Sequence, residues 1–393
     1  VSRHTYAGKA AIVGIGATEF SKESGRSELQ LALEACVTAC ADAGVEPSRV
    51  NGLSTFTMET NPESEILRGL GIPELTHFSR IHFGGGAPCA TVQYAAMAVA
   101  TGVADYVLCY RAFNERSGRR FGAGVQGRPA GVTAEEAQFA WTSPYGLLTP
   151  ASWVAMFATR MMHEYGVTSE DFGRVAVADR RHAANNPAAH FYRQPITLED
   201  HQSSRWIVEP LHLLDCCQET DGGQAILVTS IERARDLDKP PVVIEAAAQG
   251  MADDQMMMRS FFRDSLVGLP EMGTCARQIW ETSGLGPDDV KTAVLYDHFT
   301  PFVLAQLEEF GFCKPGEAKD FIADGAIEIG GRLPVNTHGG QLGEAYLHGM
   351  NGIAEGVRQV RGTSVNQVDG AEHVLVTGGT GVPTSAVMLG AAR

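Results

Sequence analysis

The chain has 393 residues, 44% hydrophobic and 20% charged, which excludes a disordered or fibrous protein and exceeds what one hydrophobic core usually organises. A formal net charge of −15 excludes nucleic acid and acidic membrane surfaces as partners, because both are bound by a basic face. No apolar run is long enough to span a bilayer, and the polar start from Val1 to Lys9 carries no signal-peptide pattern, so a cytoplasmic protein is expected.

In chain order, Ala10 to Gly16 reads as an apolar strand ending in glycines. Leu29 to Ala43 is predicted helical, with Leu29, Leu33, Cys36, Val37 and Cys40 marking one face. Val50 to Phe56 is again strand-like. The glycine-rich turn Phe83 to Ala87 opens a helix through Ala100, and the strand Tyr106 to Cys109 follows. Strands alternating with helices imply parallel β-α-β units. Next comes an insertion of different character: Arg111 to Arg128 holds Arg111, Arg116, Arg119, Arg120 and Arg128 against one acid, Glu115. Two readings stay open, a phosphate or partner contact and a solvated loop paired with acids elsewhere. Met256-Met257-Met258 is equally open between an apolar ligand pocket and core packing. Further on, Thr337-His338-Gly339-Gly340-Gln341-Leu342-Gly343 leads through Tyr346 into a helix of small residues. Glycine there lets backbone close on a ligand, and Tyr346 is the large side chain nearby able to exchange a proton.

The second half echoes the first. Ala43 to Val50 (AGVEPSRV) matches Ser283 to Val290 (SGLGPDDV) in its glycine, proline and valine, and Ala104 to Leu108 is echoed by Ala371 to Leu375. Two matches in the same order imply duplicated halves, residues 1–239 and 240–393, with residues 111–205 inserted as a cap. Eight cysteines are scattered without a Cys-x-x-Cys pair or zinc-ligand spacing, so no metal is expected, and the adjacent Cys216-Cys217 is a poor disulfide.

With these halves and loops in view, the chain resembles the thiolase superfamily, and within it the thiolase-like lipid-transfer proteins related to the sterol-carrier thiolase. The resemblance is carried by Met162 to Gly166, Asn185-Asn186-Pro187, Ile196 to Asp200, Leu213 to Gly223, Leu295 to Phe299, Glu308 to Cys313 and the Gly339-Gly340 loop. It implies an α/β fold of two duplicated βαβαβαββ halves in a layered αβαβα arrangement, associated as a homodimer through the first-half sheet edge. A thiolase sets its nucleophilic cysteine where this chain has Gly85; Cys89 lies about one helical turn further on. The family's histidine of the Gly-His-Pro loop becomes Tyr346, and the histidine or asparagine of another block becomes Tyr296. The second cysteine is missing from Thr377-Gly378-Gly379-Thr380-Gly381. Without a thiolate there is no acyl-enzyme.

Both catalytic positions turned to tyrosine is the pattern of the steroid side-chain-cleaving aldolases of this family. It implies retro-aldol cleavage of a β-hydroxy steroid CoA thioester to a steroid ketone and propionyl-CoA. The CoA thioester is then the substrate, with no bound cofactor. The resemblance also implies a partner, the OB-fold and zinc-ribbon domain of the hydratase acting one step earlier, which carries the zinc. In this reading Tyr346 is the base and Tyr296 the acid, with His298, His338, His348 or Asp297 as relays and a helix N-terminus favouring the Tyr346 phenolate. Gly85, Gly339, Gly340, Gly378 and Gly379 supply enolate-binding loops, and Arg116, Arg119 and Arg120 reach the CoA phosphates. The competing readings are a non-catalytic acyl-CoA or sterol carrier and a cysteine-free acyltransferase.

Overall fold

The computed structural model describes residues 6–82, 84–118, 120–123, 134–256, 258, 260–380 and 384–392. Its strands are β1 (Ala10–Ala17), β2 (Gly52–Phe56), β3 (His77–Ile81), β4 (Tyr106–Asn114), β5 (Trp206–Val208), β6 (Leu211–His212), β7 (Asp221–Ser230), β8 (Val242–Gly250), β9 (Thr292–Val294), β10 (His373–Gly378) and β11 (Thr384–Ala391). Apart from the small β5-β6 pair, they form one mixed sheet in the order β3-β2-β4-β7-β1-β8-β11-β10-β9.

That order is symmetric about β1 and β8. On each side the inner strand pairs antiparallel with the next, which pairs antiparallel with a third, which pairs parallel with a fourth. The two groups join through a short antiparallel ladder, Ala11 opposite Val243 and Ile12 opposite Val242. Helices Pro88–Ala100 and Met350–Arg361 each touch strands of both groups, so they form a central layer. Glu28–Ala43 covers the outer face of the first group and Pro270–Ser283 that of the second, completing five layers. The internal echoes fall on equivalent elements: Gly44 and Gly284 end helices at φ 67 and 72, and Pro47–Arg49 and Pro287–Asp289 are both 3-10 turns leading to a strand. The groups differ at their edges. Beside β9 stands only a bridge from Ala293 to Val335, because Pro334 has no N–H with which to extend a ladder.

Helix Glu28–Ala43 forms where predicted, capped by Ser27 Oγ accepting the Gln30 N–H. Its buried face, however, is Leu31, Ala32, Ala35, Cys36, Ala39 and Cys40, with the expected Val37 exposed and Leu29 and Leu33 half-buried. Gly14 and Gly16 are required because a Cβ at either would collide with the backbone of Ala39. Val50 closes a 3-10 turn onto Pro47 O, which delays β2 to Gly52. The larger departure is β4, which runs to Asn114 because it pairs with β7 along its whole length, Asn114 opposite Asp221. Arg111, expected in the inserted loop, is therefore a buried strand residue, its charge met by Glu59 at 2.9 Å. The insertion then supplies helices Ala134–Thr142, Pro150–Tyr165, Ser169–Asn185 and Leu198–Ser203. Ser169–Asn185 presses Ala183 against Gly339 and Gly343, where a Cβ would lie 2.5 and 2.6 Å from the Ala183 Cβ.

Candidate active site

Tyr296 follows directly on β9. Its N–H is held by Thr377 Oγ1 at 2.9 Å and Gln306 Oε1 at 3.2 Å, and its carbonyl accepts from Gln306 Nε2 at 2.8 Å. Tyr346 lies between the helical turn Gly340–Gly343 and helix Met350–Arg361, with its N–H on Thr220 Oγ1 at 2.9 Å. From loop segments 50 residues apart in sequence, the two hydroxyls meet at 3.3 Å. The third participant is an absence of side chain. A Cβ at Gly85 would collide with the Tyr296 hydroxyl, so the phenol fills the room that a nucleophile at this position would occupy.

These groups line a cavity of about 1210 Å³ together with Gly84, Gly85, Cys217, His298, His348 and Thr380. His298 stacks on Phe302 at 5.1 Å and shares a hydrogen bond with Thr380 Oγ1 through Nδ1 at 3.1 Å. His348 stacks on Phe113 at 5.1 Å and accepts from Arg111 Nε through Nδ1 at 3.2 Å. Burial sets the protonation states. It raises both phenols above the ordinary tyrosine range and lowers His298 to about 3, so at neutral pH the phenols keep their protons and His298 is uncharged. His348 is likewise lowered, first by burial and then by the Arg111 charge. A resting Tyr346 phenolate is therefore not formed. The residue is not on a helix N-terminus, since Gly349 caps the helix that follows, and burial opposes the charge.

Two expected relays are elsewhere. Asp297 turns away from the cavity and accepts the N–H groups of Gln341 at 2.8 Å and Leu342 at 3.0 Å, tying the glycine loop to β9. Its carboxyl is raised by burial, and the neighbouring Asp179 is raised further, by burial and then by Asp297. His338 is buried near Glu344, 3.8 Å away, and is not among the cavity-lining residues. Of the glycines, Gly85 lines the cavity, whereas Gly339, Gly340, Gly378 and Gly379 do not. Gly340 is packed on Asp297, and Gly378 on Pro88, whose Cγ would lie 2.6 Å from an added Cβ. Cys89 is buried and donates to Val376 O at 3.5 Å, off the cavity wall.

Arg116 and Arg120 line the cavity, and Arg120 is paired with Glu219 at 2.6 Å; Arg119 and Arg128 lie outside the described residues. Lys22, which no sequence motif singles out, joins them, donating to Glu219 O at 2.7 Å and Gln218 Oε1 at 3.2 Å. Burial first, then Arg116, lowers its pKa. Cys217 is also new to the site, its thiol pushed up by burial and by Glu115. Met258 lines the wall, Met256 does not, and Met257 lies outside the described residues.

Residues 255–390 match the family described as thiolase C-terminal domain-like. Over 386 residues the chain is 68% identical to the steroid side-chain-cleaving aldolase of Thermomonospora curvata, covering 98% of this chain and 99% of that one. It is 70% identical, with the same coverage, to the 17-hydroxy-3-oxo-4-pregnene-20-carboxyl-CoA lyase of Mycobacterium tuberculosis. Among solved structures, the Ltp2-ChsH2(DUF35) aldolase superposes with a TM-score of 0.94 at 66% identity, covering 99% of both chains. Human mitochondrial 3-ketoacyl-CoA thiolase shares the fold, with a TM-score of 0.68 at 15% identity over 99% of this chain and all of that one.

Proposed function

The chain belongs to the thiolase-like family, and from that premise we propose that it is a steroid side-chain-cleaving aldolase, a lyase acting on a 17-hydroxy-3-oxo-pregnene-20-carboxyl-CoA thioester. The products are the 17-keto steroid and propionyl-CoA. The observation that carries this reading is the phenol pair at 3.3 Å beside a glycine in the nucleophile's place. The cavity exceeds the roughly 300–1,000 Å³ of ordinary small-molecule sites, which suits a steroid with its thioester arm.

Retro-aldol cleavage moves one proton from the C17 hydroxyl to C20 while the electrons of the C17–C20 bond pass into the thioester as an enolate. No net proton is gained or lost, so a closed relay suffices. One phenol accepts the hydroxyl proton as it hands its own to the other, which protonates C20. Two phenols that burial keeps protonated fit this exchange, since neither has to persist as phenolate. In the resting pair Tyr296 donates to Tyr346 at 3.3 Å, and because the relay is closed either phenol can begin the exchange. His298 holds the Tyr296 side of the wall, its ring 4.9 Å from the phenol ring. Lys22 and Arg116 form the polar side of the cavity that would face CoA phosphates, with Arg120 shared with Glu219.

The matching of an Ltp2-ChsH2(DUF35) assembly over the full chain supports a partner domain of the OB-fold and zinc-ribbon kind, and its zinc would stay in that domain. Strand β3 ends the sheet with Phe78 67% exposed, which supports a homodimer through this edge. The setting is cytoplasmic degradation of sterol side chains. Incubating the chain, with and without the zinc-ribbon domain, with the 17-hydroxy steroid CoA thioester should release ketone and propionyl-CoA in equal amounts. A carrier would bind the thioester and release neither.

A further inference from the structure

His348 stands one ring from the phenol pair, 5.0 Å from the Tyr346 ring, and does not belong to the proton relay. Its Nδ1 accepts the Arg111 Nε–H at 3.2 Å. A ring nitrogen that accepts carries no proton, so in the neutral imidazole the proton sits on Nε2. Arg111 cannot turn away, because Nη1 donates to Glu59 Oε2 at 2.9 Å and to Ala112 O at 3.2 Å, and Glu59 also accepts the Ala112 N–H at 3.0 Å. The ring lies flat on Phe113, tilted by 12°, and the Arg111 guanidinium sits 4.1 Å from the centre of that same Phe113 ring. The far nitrogen is aimed at the emptied loop: a Cβ at Gly84 would lie 3.2 Å from Nε2. His348 also holds φ 52, a left-handed backbone that strains a non-glycine residue and is retained chiefly at functional sites.

We infer that His348 is a further catalytic residue of the aldolase reading above, on which this inference rests: its Nε2–H donates to the thioester oxygen as the enolate forms. When the C17–C20 bond breaks, its electron pair moves into the C20–carbonyl bond and the carbonyl oxygen takes the charge. A neutral N–H in a buried wall stabilises that oxygen without giving up its proton, leaving protonation of C20 to the phenols. The charged and titratable groups around the ring include Arg111 from β4, Glu59 after β2, Tyr346 on its own segment, and Tyr296 and His298 from the segment after β9. Burial, the Arg111 charge and His298 all oppose a second ring proton, so the ring stays neutral at neutral pH.

The test uses the full chain together with the zinc-ribbon partner domain, and its His348→Ala and His348→Gln variants, in two assays: cleavage of the steroid thioester, and exchange of the C2 protons of propionyl-CoA in D2O. Loss of one such donor is expected to lower kcat about 100-fold or more in both, with KM within about threefold. Glutamine, which carries an N–H at similar reach, should recover at least about tenfold over alanine. Independently of turnover, protein labelled with 15N in its imidazoles should show His348, assigned by its absence from the Gln variant, as the neutral Nε2–H form. The inference is overturned by a His348→Ala enzyme with near wild-type kcat, by a loss confined to KM, or by a proton on Nδ1. A wild-type chain that neither cleaves nor exchanges overturns the aldolase reading, and this role with it. A wild type that does both, beside an unaffected His348→Ala, overturns the inference alone.

Discussion

The two strand groups are near mirror copies in topology, yet they build the site from different material. The first group, β3-β2-β4-β7-β1, brings backbone and a buried ion pair: the side-chain-free loop at Gly84 and Gly85, and Arg111 against Glu59. From the segments around the second group, β8-β11-β10-β9, come the rings proposed to react: Tyr296 and His298 after β9, Tyr346 and His348 before helix Met350–Arg361. A duplicated scaffold therefore does not imply duplicated chemistry. A position without a side chain in one copy leaves the room into which a phenol of the other reaches.

If the first group acts as rigid support, breaking its ion pair should have the largest effect on stability and only an indirect one on chemistry. Arg111→Met leaves Glu59 buried and uncompensated, and should cost roughly 3–5 kcal/mol in denaturant unfolding. The second group should show the reverse. Tyr296→Phe and Tyr346→Phe keep ring volume, so folding and thioester binding should stay nearly intact while turnover falls about 100-fold or more. The double variant should be little worse than either single one, because the phenols act as one relay. Near wild-type turnover in both single variants would reduce the phenols to core residues.

The phenols and Gly85 were legible in the sequence because each falls in a short block whose neighbours fix its position. So was the end of helix Glu28–Ala43, since Gly44 acts within one turn. What stayed illegible depends on partners far along the chain. Arg111 read as a loop charge because Glu59, 52 residues earlier, is what allows it to be buried. Lys22 carried no signal because its partners lie 196 and 197 residues away. Tyr346 read as a helix N-terminal phenol because the local glycine pattern does not reveal that the helix restarts only after Gly349.

Acid should distinguish the groups as well. His298 is lowered to about 3 in the fold, against about 6.5 unfolded. The unfolded chain therefore binds a proton first, so this contribution to stability is full above about pH 6.5 and is lost as pH falls toward 3. His298→Phe keeps a ring against Phe302 and removes the titration, so its unfolding free energy should fall less between pH 6.5 and 4, by roughly 2–3 kcal/mol. Equal acid sensitivity in the two proteins would place the proton uptake elsewhere. Gly85→Ala should follow, costing about 1–3 kcal/mol as the Tyr296 hydroxyl is displaced, with turnover falling alongside.

The smallest effect is expected at the one cysteine of the first-group loop helix. Cys89 is fully buried, donates to Val376 O at 3.5 Å, and has its thiol pushed far up by burial. A thiol in that state is neither ionised nor open to the cavity, and its place in the helix carries it past the position that Gly85 occupies. Cys89→Ala removes one buried sulfur and a weak hydrogen bond, so about 1 kcal/mol of stability should be lost and turnover should stay within about twofold. Mass spectrometry of the enzyme quenched during turnover should find no acyl group on Cys89 or on Cys216 and Cys217, the thiols that line the cavity. An acyl adduct on any of them would mean that the emptied loop has not removed covalent chemistry from the fold, and the division between a supporting and a reacting strand group would fail at its simplest point.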